Sequence, residues 1–276
     1  MTLEVQICTY GLDGLQRAAQ MTLPAVDGVR YRICMQNPDG LAVELPEALR
    51  RPDVDFFQHA TRGLSLNRNA ALDRAEADII LIADDDLHYT ADGLRVVIDT
   101  FAADPALDFA TFQYSGPDNR SYPAESFVHT FGSRRGYSVA SVEIAIRRSS
   151  LPAAVRMSPH AGIGSDVYAC GEEYLFVQCL IFSGLRGKFF PAVICHHPTL
   201  STGVRTATRG TDRATGLISW IDFTRLPRWY RFTLGPLRVI ARAVDNKVRS
   251  PRRLCHILEG YFLGFKYFNS DLSDRQ

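Results

Sequence analysis

Short apolar runs separated by Gly, Pro, Asn and Asp fill the first hundred residues, and their period alternates between two and near four. Glu4 to Thr9 and Val29 to Met35 have the character of strands, with Gly11-Leu12-Asp13-Gly14 predicting a turn into a helix from Leu15 to Leu23. Asn37-Pro38-Asp39-Gly40 is a strong turn signal, and Asp55 to His59 predicts a third short strand. Ser65 to Ala75 predicts a helix with Ser65 as its N-cap, and Ala91 to Ala103 predicts another. Between them, Ile79 to Ala83 is apolar without alternation, as in a strand buried on both faces. Strands alternating with helices predict a sheet built from βαβ units with right-handed crossovers. Farther on, Phe109 to Tyr114 and Ser138 to Arg147 predict strands and Tyr174 to Ser183 a helix opened by Gly171-Glu172-Glu173. Phe189 to Cys195 predicts a last strand, running into His196-His197-Pro198.

The run Ile79 to Ala83 stops in Asp84-Asp85-Asp86. Three adjacent carboxylates repel one another unless a cation sits among them or solvent screens them. The C-terminal end of a parallel strand is where open α/β sheets bind ligands. Hard oxygen donors suit Mg²⁺ or Mn²⁺ shared with substrate phosphates, and a solvated acidic loop is the plain alternative. Neither a GxGxxG after the first strand nor a GxxxxGK[ST] occurs, so neither the dinucleotide fingerprint nor the P-loop is present.

Composition narrows the class. With 276 residues, 46% hydrophobic and 22% charged, the chain has room for one large domain, alone or with an appendage. Six cysteines are scattered without a CxxC pair, which predicts free thiols in a reducing cytoplasm. The strand pattern begins almost at Met1, which leaves no room for a signal peptide, and no apolar run approaches the ~18–20 residues of a membrane span. The expectation is a cytoplasmic protein, either soluble or peripheral on the inner face of the cell membrane. Charge is uneven: Arg225 to Arg253 holds nine Lys or Arg and one acid, a net +8 in a chain of net +1. Both tryptophans, Trp220 and Trp229, lie in or beside this stretch. Leu254, Ile257, Leu258, Tyr261, Phe262 and Phe265 then fall on one helical face. A basic, aromatic surface suits an anionic membrane, each Lys or Arg contributing about 1 kcal/mol there. Nucleic acid is not expected, because no nucleic-acid motif is present and the overall charge is near zero.

With these pieces in place the chain resembles the family 2 glycosyltransferases, inverting enzymes of the GT-A fold. The likeness rests on Gly63-Leu64-Ser65-Leu66-Asn67-Arg68-Asn69 leading into Ile79 to Asp86, on Gly162-Ile163-Gly164 followed by Gly171-Glu172-Glu173, and on His196-His197-Pro198. It covers roughly residues 3 to 215. It implies an α/β GT-A domain over 1–215, a mixed sheet sandwiched by helices, with a basic helical region over 216–276. It further implies transfer of a sugar from a nucleoside-diphosphate sugar, a UDP-sugar first, to a hydroxyl of a glycan or lipid-linked acceptor. Bacterial surface polysaccharide synthesis would be the setting.

The roles the resemblance implies are specific. Asp86 would ligate Mn²⁺ or Mg²⁺ with His197, or His196 in the other register. Asp84 would contact the ribose or donor sugar, and Asp85 would orient its neighbours or help ligate. Glu173 would be the catalytic base, with Glu172 the alternative. Thr9 and Tyr10 would meet the nucleobase, and Arg68 and Asn69 the diphosphate, although strand-end packing and a solvated helix face explain these four equally well. Arg205 and Arg209 fit a solvated loop or one closing on the phosphates. Two departures stand out: the pair is Glu-Glu where many relatives have Glu-Asp, and Gln36-Asn37 replace the acid that often holds the nucleobase. The rivals are a catalytically silent scaffold or glycan-binding subunit of the same fold and a sugar nucleotidyltransferase. The latter would carry a Gly-rich basic loop after the first strand, which Thr9 to Gly14 lacks.

Overall fold

In the computed structural model, residues 1–117, 120–132, 137–199 and 208–273 are described, with side chains through 268. Four parallel strands form one half of a nine-stranded sheet: β1 (Leu3–Tyr10), β2 (Val29–Gln36), β3 (Val54–His59) and β4 (Ile79–Asp84). The order continues from β4 through β8 (Ile144–Arg147), β6 (Phe109–Ser115) and β9 (Gly187–His196) to the two-residue β5 (His88–Tyr89). The strand β8 is antiparallel to both neighbours, β6 and β9 are parallel, and β7 (Phe127–Val128) also pairs with β9. The mixed sheet expected of GT-A is what the chain forms.

Strand alternation explains the layers. Ile79, Leu81 and Ala83 face one side and pack with Leu15 and Ala18 of α1 (Gly11–Ala19) and with Leu94, Val97 and Phe101 of α3 (Ala91–Ala103). Ile80 and Ile82 face the other side and pack with Leu72 of α2 (Leu64–Leu72) and with Phe176 and Leu180 of α4 (Glu172–Phe182). Each such buried Ile or Leu contributes about 1.5–3 kcal/mol.

Three local expectations need correction. Gly11 to Gly14 is the first turn of α1, not a turn before it. The N-cap of α2 is Gly63; the Ser65 hydroxyl instead donates to the Ala161 carbonyl at 2.6 Å. Only Ile144–Arg147 of the run from Ser138 pairs as a strand, because Ser141–Glu143 forms a 3-10 turn around the buried Glu143.

The C-terminal region is helical: α5 (Arg209–Asp222), α6 (Arg228–Phe232), α7 (Leu234–Asp245) and α8 (Pro251–Ser273). The expected division at 215–216 falls inside α5. There Gly216 lets α8 approach so closely that a Cβ would sit 2.0 Å from the Ile257 carbonyl oxygen. Ile257 and Tyr261 of α8 pack with Trp220, as the helical face predicted. One side of α5 meets α4 through Leu175, Ala214 and Leu217, so it joins the tail to the sheet domain.

Candidate active site at the carboxyl edge of the sheet

The pairing of Cys8 with Asp84 brings the ends of β1 and β4 together, and that of His88 with His196 brings β9 beside Asp86. The acids Asp84, Asp85 and Asp86 then part company. Asp84 continues the parity of Ile80 and Ile82 and meets Arg68 of α2 at 2.8 Å. Asp85 continues the other parity and turns toward α1, where Arg17 binds it through Nε (3.0 Å) and Nη2 (2.9 Å) and Thr9 donates its hydroxyl. Burial raises the Asp85 carboxyl above the usual range in spite of Arg17.

Asp86 faces β9. Its Oδ2 accepts from the Thr199 hydroxyl at 2.8 Å, and its Oδ1 lies 3.5 Å from Nε2 of His197. Nδ1 of His197 lies 2.6 Å from the Thr199 carbonyl, which can only accept, so Nδ1 carries a hydrogen and Nε2 is the ring nitrogen that faces Asp86. His196, one residue earlier, is exposed, bonds Ser115 and stacks on His88. Of the two histidines, His197 is the one beside the acid cluster. A carboxylate and an imidazole nitrogen suit a divalent cation that takes its remaining donors from phosphates and water. Among the described residues no three His, Cys, Asp or Glu side chains converge as a self-sufficient metal cage.

Glu172 and Glu173 open α4, where acids suit the helix dipole. Glu172 is buried and receives Arg68 Nη1 at 2.9 Å; its Oε2 has no hydrogen-bond partner. Glycine at 162 (φ +101°) brings backbone against this carboxylate: a Cβ there would lie 3.2 Å from Oε2. Glu173 is only partly buried by surface, yet burial and then the charge of Glu172 push its carboxyl well above the usual range. Arg68 is thus the hub, 2% exposed, joining Asp84, Glu172 and the Ser141 hydroxyl. Burial works against its charge and the two carboxylates outweigh that, so it stays fully protonated.

The remaining expected contacts are placed as follows. Thr9 is buried and committed to Asp85, whereas Tyr10 is exposed at the sheet edge, its hydroxyl accepting from Arg62, which also pairs with Asp39. Arg68 is enclosed by its acids. Asn69 bonds both the amide and the carbonyl of Met157, so its amide ties α2 to the 157 loop. Arg209 pairs with Glu259, while Arg205, Ser201 and Thr202 lie outside the described residues. Sequence reasoning missed Arg17, Thr199 and Asn67. Strand parity past Ala83 pointed toward α1 and so toward Arg17; no local pattern marks Thr199. Buried Asn67 holds the edge together by donating to the carbonyls of Thr9 (2.9 Å) and Cys34 (3.1 Å).

The fold has counterparts among known proteins. The model of Glycosyl transferase family 2 matches residues 37–154, which include Arg68 and all three aspartates. That segment is similar to the family 2 glycosyltransferases. Glu172, Glu173 and His197 lie beyond the matched segment. Among solved structures, that of S. aureus TarS 1-349 is 15% identical with a TM-score of 0.58, covering 100% of this chain and 82% of that one. The same protein in complex with UDP-GlcNAc gives 13% and 0.56 over 100% and 82%; in complex with UDP it gives 14% and 0.52 over 98% and 92%. At these identities the likeness is one of fold, the GT-A glycosyltransferase fold. No curated protein sequence matches the chain.

Proposed function

We propose that this glycosyltransferase moves a sugar from a nucleoside-diphosphate sugar, a UDP-sugar first, to a hydroxyl of a glycan or lipid-linked acceptor, with inversion. The observation that carries the reading is the hub of Arg68, which holds Asp84 and Glu172 on one guanidinium and so couples the acid-bearing strand end to the Glu172-Glu173 pair. The complex of S. aureus TarS 1-349 with UDP-GlcNAc supports the donor class, since the fold is shared.

Asp86 and Nε2 of His197 would hold Mg²⁺ or Mn²⁺. Bound there, the cation would neutralise charge on the leaving diphosphate. Tyr10 offers an exposed ring at the ends of β1 and β2 for the nucleobase. Glu173 is the base. Its partner Glu172 already faces Arg68, whereas the Glu173 carboxyl is raised well above the usual range, which makes its ionised form a stronger proton acceptor. The acceptor oxygen bonds to the anomeric carbon as its proton passes to Glu173. The bond to the diphosphate breaks on the opposite side, and its electron pair leaves with the nucleotide. A lipid-linked acceptor in bacterial surface polysaccharide synthesis would place the enzyme at the inner face of the cell membrane.

The test is nucleotide-sugar binding and slow donor hydrolysis across a donor panel with Mn²⁺, Mg²⁺ or EDTA, for wild type and Asp86→Ala. Metal-dependent release of one nucleotide, lost in the variant, is expected. No binding of any nucleotide sugar with either metal would sink the reading in favour of a silent scaffold.

A further inference from the structure

Residues 223–244 contain five arginines and no acid. The helices α6 and α7 that they form meet in an elbow whose outer surface is apolar. Trp229 is 63% exposed and Leu237 64%, and Leu226, Phe232 and Leu234 are exposed beside them. The inner side is ordinary core: Gly235, Val239 and Ala243 of α7 face inward, and Val239 and Ala243 pack with Trp220, Ile257 and Tyr261. On α7 the outward Leu234 and Leu237 recur at helical spacing, with exposed Arg238 next to them. Phe262 of α8, 42% exposed, is a further large apolar side chain open to solvent in the tail. The helix that looked most amphipathic in the sequence, α8, spends its stripe on α5 and Trp220. The exposed apolar surface lies instead on the elbow.

We infer that the α6–α7 elbow is a membrane-docking surface, which seats Trp229, Phe232, Leu234 and Leu237 in the interface of an anionic bilayer while arginines meet the lipid phosphates. Charge complementarity selects this occupant. Arg225 is exposed just before α6 and Arg228 and Arg238 within the elbow; Lys247 and Arg249 follow it, and Arg252 lies in the first turn of α8. A rim in which Asp245 is the only acid between Arg225 and Arg252 suits a sheet of negative headgroups better than a mixed protein surface. Trp at such a boundary places an apolar ring in the acyl region and its N–H in the headgroups. Among the described residues no helix is long and apolar enough to cross a membrane, so the contact is interfacial. The inference is independent of the catalytic reading, and its test reads binding, not turnover.

The two tryptophans make the test direct, because Trp220 is fully buried and Trp229 is not. The full chain is mixed with vesicles of phosphatidylglycerol in phosphatidylcholine, or of phosphatidylcholine alone, and followed by co-sedimentation and Trp emission. Phosphatidylglycerol vesicles should bind the chain and shift its emission to the blue, with brominated acyl chains quenching it. Arg228→Gln and Arg238→Gln should each weaken binding about fivefold. Trp229→Ser should abolish the shift, and Leu237→Ser should weaken sedimentation, with unfolding midpoints unchanged because both side chains are exposed. Absence of binding to phosphatidylglycerol, or binding indifferent to Trp229→Ser and Leu237→Ser, would overturn the inference. So would lipid-free self-association abolished by the same two substitutions, which would assign the elbow to a second copy of the chain.

Discussion

Two groups of adjacent acids sit at this sheet edge, and the chain resolves their repulsion by opposite means. Asp84 and Asp85 end a strand, where successive side chains point to opposite faces. Asp84 is sent to Arg68 on α2 and Asp85 to Arg17 on α1, so each has its own cation. Asp86, past the strand end, turns to Thr199 and His197. Glu172 and Glu173 begin a helix, which cannot send neighbours to opposite sides. One takes Arg68, and the other keeps a raised carboxyl. Separated charges make a site for binding a cation and phosphates; an unseparated pair makes a group that can take up a proton. The two halves of the proposed chemistry follow from two backbone geometries.

The harshest way to break this comparison is to remove the cation both groups share. Arg68→Met leaves Asp84 and buried Glu172 without it, and breaking a buried pair of this kind costs about 3–5 kcal/mol. A corresponding fall in the urea midpoint is expected. Arg68→Lys should recover only part, since an ammonium cannot fork toward Glu172, Asp84 and Ser141 together. A fall below about 1 kcal/mol for the Met variant would mean that the acids find other partners.

The next test separates the two glutamates. Glu173→Gln should lower turnover by about 10²–10⁴-fold while nucleotide affinity is kept. Glu172→Gln should lower turnover less and the unfolding midpoint as well, because buried Arg68 loses a charged partner. Because the Glu173 carboxyl is raised and the base acts ionised, wild-type turnover should climb with pH above the ordinary carboxylate range. Loss of turnover confined to Glu172→Gln would exchange the two roles.

How much of this could be read from residues alone follows from the same geometry. The helix Ala91–Ala103 was legible because Thr90 caps it and its apolar residues keep one face. The strand Ile79–Asp84 was legible because a continuous apolar run has few other fates. His197 could be preferred to His196 in sequence, and strand parity gives the structural reason that one faces inward. The beginnings of α1 and α2 were not legible: glycines that look like turn formers start them, and the Ser65 hydroxyl is drawn to a carbonyl ninety-six residues away. Arg17 went unread for a similar cause, since its partner is sixty-eight residues distant and only the strand parity past Ala83 pointed toward it. The half-exposed tail was legible in composition and not in orientation, because two helices of similar amphipathic character meet different neighbours.

Glu143 sharpens the comparison by isolating burial from like charge. Tyr122 and Tyr137 donate to it at 2.7 and 3.1 Å, the Ala140 amide at 3.0 Å, and Arg120 lies 3.6 Å away. Burial nonetheless lifts its carboxyl to about 7, from an ordinary 4.5. In this direction the folded state holds the proton more tightly than the unfolded one. The stability so contributed is complete below about pH 4.5 and is lost as pH rises through about 7, a change on the order of 3 kcal/mol. Glu143→Gln should flatten that part of the stability-against-pH curve. An unchanged slope would mean that Arg120 and the tyrosines hold the ionised form as well as the neutral one.

Arg17→Gln is the gentlest probe. Its side chain is 52% exposed, so screening limits the loss to about 1 kcal/mol even though Asp85 is buried. Removing Arg17 withdraws the main influence that lowers the Asp85 carboxyl and lets burial raise it further. A carboxyl raised in the folded state favours folding at low pH, so the deficit should nearly vanish in acid and reach its full size near neutrality. Arg68 should behave differently, because its variant leaves two acids uncompensated, one of them deep inside. A deficit of equal size for Arg17→Gln and Arg68→Met at neutral pH would show that the strand end does not separate its charges into independent pairs, and the contrast with Glu172 and Glu173 would fall with it.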